Sequence, residues 1–131
     1  MRIRSATLAD ASAIARVHVE SSWSTYRGIL PDEVLTNYSY ERRTMHWSKV
    51  IGNPESTEFV IVAEDEQGQI VGFTSGGPER EGMPFTGEIY TLYLLSSAQR
   101  QGLGRRLMAA SMHRLIRAYP KTCDTMKTKT N

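Results

Sequence analysis

The spacing of apolar residues predicts a strand and two helices in the first fifty residues. Residues 2–6 alternate between apolar and polar side chains, as in a strand with one buried face. Apolar side chains at 11, 14, 15 and 17 then recur at helical spacing, which predicts a helix over 8–22 with Thr7 placed to cap it. Pro31 and the two acidic residues after it suit the start of a second helix, which runs to about residue 50 and could break near Asn37.

Three predicted strands fill the middle of the chain. Residues 58–64 and 69–74 are rich in β-forming side chains and flank a turn at 65–68, which predicts a hairpin. The Gly-Gly-Pro run at 76–78 is expected to stop or bulge the second strand. Residues 87–95 form the third strand. Strict alternation would place the odd-numbered residues from Ile89 to Leu95 on one face and Tyr90, Leu92 and Leu94 on the other.

A last helix is predicted over 102–118. Its buried stripe falls at every fourth position, on Leu103, Leu107, Ser111 and Leu115. Residues 121–127 could form one marginal strand, and 128–131 are expected to be a frayed end. The order β-α-α-β-β-β-α within one domain of 131 residues predicts a mixed α/β fold around a single core.

Composition narrows the class of protein. Hydrophobic residues make up 40% and charged residues 23%, as in soluble globular proteins. A net charge of +2 is too weak to favour nucleic-acid binding. Cys123 is the only cysteine, so no intrachain disulfide can form. The N-terminus does not resemble a signal peptide, and no apolar run reaches the roughly 18 residues of a membrane span. We therefore predict a cytoplasmic protein with no membrane partner and, since no ligand-spaced His/Cys/Asp cluster occurs, no metal.

The most informative stretch is Gln99-Arg100-Gln101-Gly102-Leu103-Gly104, where a strand gives way to a helix. The first turn of a helix has unpaired N–H groups and a partial positive charge, so it can bind anions. Glycines at 102 and 104 would let a diphosphate approach the backbone, and Arg100 and Arg105 could add charge at its rim. The stretch matches neither a nucleotide P-loop nor a dinucleotide fingerprint, and a plain loop with a glycine helix start is the alternative.

The same six residues match the Q/R-x-x-G-x-G/A motif of GNAT N-acetyltransferases, which the chain resembles over roughly residues 2–118. The resemblance includes residues 87–94, which look like the fourth strand of that family, and the stretch from Trp23 to Pro31. It implies a mostly antiparallel central sheet flanked by helices, with acetyl-CoA as the donor. The residues implied to hold the donor's pyrophosphate are Gln99, Arg100, Gln101, Gly102, Leu103, Gly104 and Arg105.

Further roles follow from this resemblance. Leu92, Tyr93 and Leu94 would offer backbone groups to the pantetheine arm, and a β-bulge in their strand would aim N–H groups at the thioester oxygen. Glu88 is the candidate general base, which would deprotonate a primary amine of a small molecule or a protein N-terminus. A solvated or salt-bridged glutamate is the alternative.

The remaining aromatic candidates could line the acceptor pocket or serve only in packing. Trp23, Tyr26 and Tyr90 would line the acceptor pocket or pack in the core or a lid, and Tyr93 could also do either. His18 is expected to be a hydrogen-bonded core residue. His46 and His113 are expected at the surface.

The chain departs from the family after the last predicted helix. Family members continue with further strands and a helix, and often supply a tyrosine as general acid, whereas only residues 121–131 remain here. A truncated product, a homodimer in which the partner completes the sheet, and a domain that binds acetyl-CoA without efficient turnover would each account for this. We predict the homodimer. The functional classes left open are an acetyltransferase, a non-catalytic acetyl-CoA-binding domain and a structural domain without coenzyme.

Overall fold

The structure is a computed structural model that describes residues 2–26, 32–79, 87–99, 102–119 and 127–128, with side chains described over 2–21, 40–79, 87–99 and 102–119. Within these residues three helices pack around one five-stranded sheet. The strands are β1 (Arg2–Ser5), β2 (Phe59–Glu64), β3 (Ile70–Pro78), β4 (Gly87–Leu94) and β5 (Lys127–Thr128). The helices are α1 (Ala11–Tyr26), α2 (Asp32–Gly52) and α3 (Leu103–Ala118).

The sheet is mixed and mostly antiparallel. Its strand order is β1-β2-β3-β4-β5, in which the first four strands pair antiparallel and β5 pairs parallel to β4. The predicted hairpin is present, with Gly68 at a φ of 78° and the Asp65 carboxylate accepting hydrogen bonds from the N–H groups of Gln67 and Gln69. The predicted fold class and element order are confirmed.

Each face of the sheet has its own core. The face covered by α1 and α2 buries Ile14, Val17, Trp47, Val62 and Phe73, among others. The face covered by α3 buries Ile61, Ala63, Val71, Leu103 and Leu107, among others. Among the described residues, no helix is long and apolar enough to cross a bilayer. The loop after β4 therefore leaves a sheet that is packed on both faces.

Asp10 ties the start of α1 to the sheet. A 3₁₀ turn at Leu8–Asp10 precedes α1, and the Asp10 carboxylate accepts from the Thr7 N–H at 2.7 Å, as the predicted cap requires. Arg4 donates to Asp10 at 2.7 and 3.0 Å and also to Glu64. The Arg4 hydrogen bond lowers the pKa of Asp10 to about 2. One arginine thus holds β1, β2 and the helix start together.

Several helices and strands begin or end at other residues than predicted. α1 runs four residues further than predicted, to Tyr26, and α2 is continuous through Asn37, since the two long helices pack along each other. β3 continues through its glycines to Pro78 because these residues pair with β4, and a Cβ on Gly76 would come within 2.7 Å of the Glu88 carbonyl oxygen. Thr128, predicted to belong to a frayed end, is instead paired with β4 together with Lys127, and the rest of the tail lies outside the described residues.

Candidate active site

A β-bulge interrupts β4 at Tyr90. Ser75 on β3 pairs with Thr91, but the next residue, Gly76, pairs with Ile89, so Tyr90 is the extra residue on β4. Such a bulge re-aims side chains and leaves backbone groups outside the regular ladder. The bulge that the family resemblance implied is therefore present in this strand.

The bulge changes which face each residue of β4 occupies. Phe73, Ser75 and Gly77 alternate along β3 on the α1 side, so their partners Tyr93, Thr91 and Glu88 face that side too. Leu92 and Leu94 pack with the α3-side core, and Ile89 pairs with Gly76, whose Cβ position faces the Phe59 ring in that core.

The predicted strict alternation is therefore wrong. Ile89 is separated from Thr91 and Tyr93, and the Tyr90 hydroxyl lies on the α1 side, 2.9 Å from the Cβ position of Gly77. The physical reason is the extra residue, which shifts the alternation by one position.

The backbone of β4 beyond the bulge alternates between facing β3 and facing an edge that no described strand covers, here termed the open edge. The Leu95 N–H donates to the Val71 carbonyl at 2.9 Å, and the pairing then continues without a shift as far as Thr91. Because hydrogen-bonded pairs alternate in an antiparallel ladder, Tyr93 and Thr91 direct their backbone groups to β3, and Leu92 and Leu94 direct theirs away from it. Among the described residues β5 pairs only with Glu88 and Ile89, so Leu92 and Leu94 lie on an edge without a described strand.

The loop after β4 is short and bonded back to the strand. A 3₁₀ turn at Ser96–Ala98 follows β4, and the Gln99 side-chain amide donates to the Leu94 carbonyl at 3.3 Å. Arg100 and Gln101 lie outside the described residues. Gln99 thus helps set the path by which the chain leaves the open edge for the start of α3.

Gly102 begins α3 in a conformation that suits glycine. Its φ of 77° and ψ of 1° lie in the left-handed region, and no described atom lies within 4 Å of where its Cβ would stand. The Arg106 N–H donates to the Gly102 carbonyl at 3.1 Å, so the N–H groups of Leu103, Gly104 and Arg105 precede the first intrahelical hydrogen bond. Gly102 has no side chain with which to cap them.

The next three residues of α3 complete the surroundings of these N–H groups. Leu103 is buried and anchors the turn in the α3-side core, whereas the Arg105 side chain is exposed. A Cβ on Gly104 would make an ordinary 3.8 Å contact with Leu94, so packing within the chain does not require glycine there. The structure thus brings three N–H groups without an intrahelical partner, a space beside Gly102 that holds no atom of the described neighbouring elements, and an exposed arginine to one helix end, which is the arrangement that binds phosphate groups.

Glu88 is a buried residue of β4, two positions before the bulge. Its exposed fraction is 1%, so the solvated alternative is wrong, while the salt-bridged alternative and the role of base stay open. Its partners in the sheet are Gly77 and Lys127. A carboxylate removed from water is costly unless other groups hold it, and Glu88 does interact with other groups of the chain.

The two tyrosines of β4 are packed. Tyr90 is 8% exposed, and its hydroxyl donates to the Pro78 carbonyl. Tyr93 is 5% exposed, and its ring lies 4.7 Å from that of His18. Of the other candidate acceptor residues, Trp23 and Tyr26 belong to the last turns of α1, and their side chains lie outside the described residues.

His18 is the predicted hydrogen-bonded core histidine. Its Nδ1 accepts from the Trp47 indole N–H at 3.3 Å, which leaves the neutral ring protonated on Nε2. Burial, together with Arg43 and His46 nearby, lowers the pKa of His18 to about 4. His46 and His113 are exposed, as predicted.

Sequence reasoning missed a group of hydroxyls beside the bulge. Ser75 and Thr91 hydrogen-bond at 2.7 Å through their side chains on the α1 side, and Thr74 and Ser111 do so at 2.9 Å on the α3 side. The available signal was Ser111, a polar residue within a leucine stripe. No group of three metal-binding side chains lies together in the part of the chain that the structure describes.

Comparison with known proteins identifies the family to which this arrangement belongs. The model of the acetyltransferase (GNAT) family matches residues 19–128, which include β4, its bulge and the start of α3. The chain belongs to the GNAT family.

A relative of known sequence supports the assignment. The uncharacterized N-acetyltransferase YuaI of Bacillus subtilis (strain 168) is 40% identical over 117 residues, which are 87% of this chain and 64% of YuaI. This chain therefore spans slightly less than two thirds of that relative's length.

Solved structures share the fold. The PaiA N-acetyltransferase of Thermoplasma acidophilum, in complex with coenzyme A, has a TM-score of 0.68 at 18% identity, over 88% of this chain and 72% of that one. A ribosomal-protein-alanine N-acetyltransferase of Brucella melitensis biovar Abortus 2308 has a TM-score of 0.65 at 14% identity, over 99% and 80% of the two chains. At these identities the likeness extends to the fold.

Proposed function

We propose that this GNAT chain is an N-acetyltransferase that moves an acetyl group from acetyl-CoA to a primary amine, carried by a small molecule or a protein N-terminus. The observation that carries the proposal is the direct succession of a bulged strand with an open edge and a helix that begins at left-handed Gly102. This succession offers backbone N–H groups to both ends of an extended, anionic thioester donor.

The pyrophosphate of the donor binds at the start of α3. The N–H groups of Leu103, Gly104 and Arg105 precede the first intrahelical bond, and the space beside Gly102 is one that a side chain would fill. Arg105 adds positive charge, and Arg100 and Gln101 belong to the site by the family motif. Because each helix-end contact is worth only about 0.3–1 kcal/mol, several N–H groups must act together.

The pantetheine arm lies along the open edge of β4. Leu92 and the Leu94 N–H face that edge and can pair with the amides of the arm, as an added strand would, whereas the Leu94 carbonyl accepts from the Gln99 amide. Tyr93 directs its backbone to β3, so it supports this edge through its buried ring rather than through its own N–H. The thioester then lies near the bulge, where a backbone N–H can stabilise the developing oxyanion.

The neutral acceptor amine attacks the thioester carbonyl carbon, a C–N bond forms, the C–S bond breaks, and coenzyme A leaves as a thiolate that water protonates. A lysine-like amine with a pKa of about 10.4 is neutral in about one molecule in 2,500 at pH 7, whereas an α-amine with a pKa of about 8 is neutral in about one in ten. Glu88 takes the proton, directly or through a water. In this proposal, the acceptor pocket is lined by Tyr90, Trp23 and Tyr26.

The support from relatives concerns the donor. PaiA of Thermoplasma acidophilum shares this fold and was solved with coenzyme A, and the family model spans the whole proposed donor site. The acceptor class, a cytoplasmic location and a homodimer are further proposals. The dimer would be tested by light scattering at micromolar concentration, where a stable monomer would count against it.

The test combines binding with turnover. Calorimetry should detect coenzyme A binding, and thiol release from acetyl-CoA should rise with some members of an amine panel that includes α-amines and lysine-like amines. No binding of coenzyme A would refute the proposal. A protein saturated with ligand at 100 times Kd should also gain about 2.7 kcal/mol of stability, which thermal shift would reveal.

One observation favours a second candidate, an acetyl-CoA-binding domain with weak or no turnover. Glu88 is only 1% exposed and interacts with other groups of the chain, which would hinder it from taking a proton from an acceptor amine. Binding of acetyl-CoA without thiol release from any amine in the panel would select this candidate.

A further inference from the structure

A chain of buried hydroxyl groups connects α3 to the bulge of β4. The Ser111 hydroxyl donates to Thr74 Oγ1 at 2.9 Å, and the Thr74 hydroxyl donates to the Thr91 carbonyl oxygen at 2.9 Å. A carbonyl oxygen can only accept, so Thr74 must donate to it, and Ser111 must in turn donate to Thr74. Both hydroxyl-bearing residues are fully buried, with exposed fractions of 0%.

Packing alone does not explain these polar residues. Ser111 stands in the buried stripe of α3 between Leu107 and Leu115, where an apolar side chain would fill the interface at no cost in desolvation. Thr74 lies in the middle of β3, opposite Leu92. Two hydroxyls buried in an apolar layer are stable only because each has a partner, and the last partner in the chain is a backbone atom next to the bulge.

The position of the Thr91 carbonyl, which this hydroxyl chain holds, determines the direction of the Leu92 N–H on the other side of β4. Thr91 follows the extra residue Tyr90, and the Thr91–Leu92 peptide is planar, with its C=O and N–H pointing in opposite directions. Fixing the Thr91 oxygen on the β3 side therefore fixes the Leu92 N–H on the open edge. The pairing of Thr91 with Ser75 already directs this carbonyl toward β3, and the Thr74 hydroxyl adds a second hold on a peptide that stands beside a bulge.

We propose that Ser111 and Thr74 are positioning residues, which hold the Thr91–Leu92 peptide so that the Leu92 N–H points at the acetyl thioester. The inference rests on the proposed acetyl transfer. It also gives α3 two roles, because the same helix binds the pyrophosphate at Leu103 and orients the bulge through Ser111. At 1.5 Å per residue these two points lie about 12 Å apart along the helix.

The test removes one hydroxyl while keeping the shape of the side chain. Thr74→Val retains the volume and β-branching of threonine but cannot donate, and the matched control Thr74→Ser retains the hydroxyl but loses the methyl group. We expect the kcat of Thr74→Val to fall about tenfold, with the KM for acetyl-CoA changed less than threefold, and Thr74→Ser to keep at least half of the wild-type kcat. Ser111→Ala should lose about threefold, because Thr74 can still donate to Thr91.

A second readout does not depend on turnover. In ¹H–¹⁵N spectra, acetyl-CoA should shift the wild-type Leu92 amide resonance more than coenzyme A does. Thr74→Val should abolish that difference, and Thr74→Ser should preserve it. This measurement decides the inference even if the wild-type protein binds acetyl-CoA without transferring the acetyl group.

The outcomes separate this inference from the proposed function. Wild-type protein that binds no coenzyme A refutes both. Binding of coenzyme A together with a wild-type kcat or a wild-type Leu92 response in Thr74→Val overturns only the positioning role. Equal losses in Thr74→Val and Thr74→Ser would overturn it as well, since they would assign the effect to the methyl group and not to the hydroxyl.

Discussion

Replacing Gly102 tests whether the start of α3 is a phosphate cradle. An L-residue in the left-handed region costs about 1–2 kcal/mol, and a β-branched residue costs more, so Gly102→Val should destabilise the fold by about 2 kcal/mol. No described atom lies within 4 Å of the new Cβ, so the fold needs no repacking there, and a domain of ordinary stability survives the loss. In the complex, however, that side chain would occupy the space proposed for the diphosphate. We expect affinity for coenzyme A to fall at least tenfold, which corresponds to about 1.4 kcal/mol.

Two further variants separate strain from obstruction. Asparagine tolerates positive φ, so Gly102→Asn should keep near-wild-type stability while still placing a side chain in the cradle. Gly104→Ala places a Cβ at an ordinary 3.8 Å from Leu94 and replaces a helical glycine, which should add up to about 1 kcal/mol of stability. Since the family motif accepts alanine there, its affinity for coenzyme A should stay within threefold of wild type.

Calorimetry measures the affinity of each variant for coenzyme A, and urea unfolding measures its free energy of unfolding. The reasoning requires that Gly102→Asn loses affinity together with Gly102→Val although only the valine variant loses much stability. If Gly102→Asn binds as tightly as wild type, then backbone strain, and not obstruction, explains any loss in the valine variant. If both bind normally, the diphosphate lies elsewhere.

Three other variants test the proposed base Glu88 and two residues with lowered pKa values, His18 and Asp10. Glu88→Gln should lose turnover with near-normal donor binding, and more so with lysine-like amines than with α-amines, since fewer of the former are neutral at pH 7; a preserved rate would remove Glu88 from the mechanism. The pKa of His18 is about 4 in the folded protein against 6.5 unfolded, so only the unfolded chain gains the proton between these values, and stability should fall as pH drops from 6.5 to 4, by up to about 1.4 kcal/mol per pH unit. His18→Gln should flatten this slope in urea unfolding; an unchanged slope would contradict the assignment. Asp10→Asn should cost about 1–2 kcal/mol at pH 7, because it weakens the charge-assisted bond to Arg4. With a lowered pKa of about 2, Asp10 stabilises the fold above pH 3.8 and loses this effect as pH falls toward 2, so variant and wild type should converge at pH 2; a constant difference would refute the account.

Much of the candidate site could be predicted because its signals are local. The glycine start of α3, the strand before it and the leucine stripe behind it each follow from a few neighbouring residues, and the structure confirms the elements. The helix bounds were less accurate. α1 and α2 extend beyond their sequence signals because they pack along each other, and that contact stabilises turns whose own sequences are weak helix formers.

The bulge is the clearest case of a feature that local patterns could not supply. Residues 87–95 alternate as a regular strand would, yet the pairing with β3 inserts Tyr90 and moves Glu88 and Thr91 to one face. The family resemblance implied a bulge in this strand, but its position depends on register, which is a property of two strands and not of one.

The amino-acid sequence by itself determined which segments form helices and strands, and where a glycine would open the last long helix, since propensity and periodicity act within a few residues. Only the tertiary structure decided that Glu88 is buried, that His18 meets Trp47, and that Ser111 reaches Thr91 through Thr74. The hydrogen bonds of this hydroxyl chain join residues 37 and 17 positions apart. Contacts over such separations exist only once the sheet register and the helix packing have brought distant segments together.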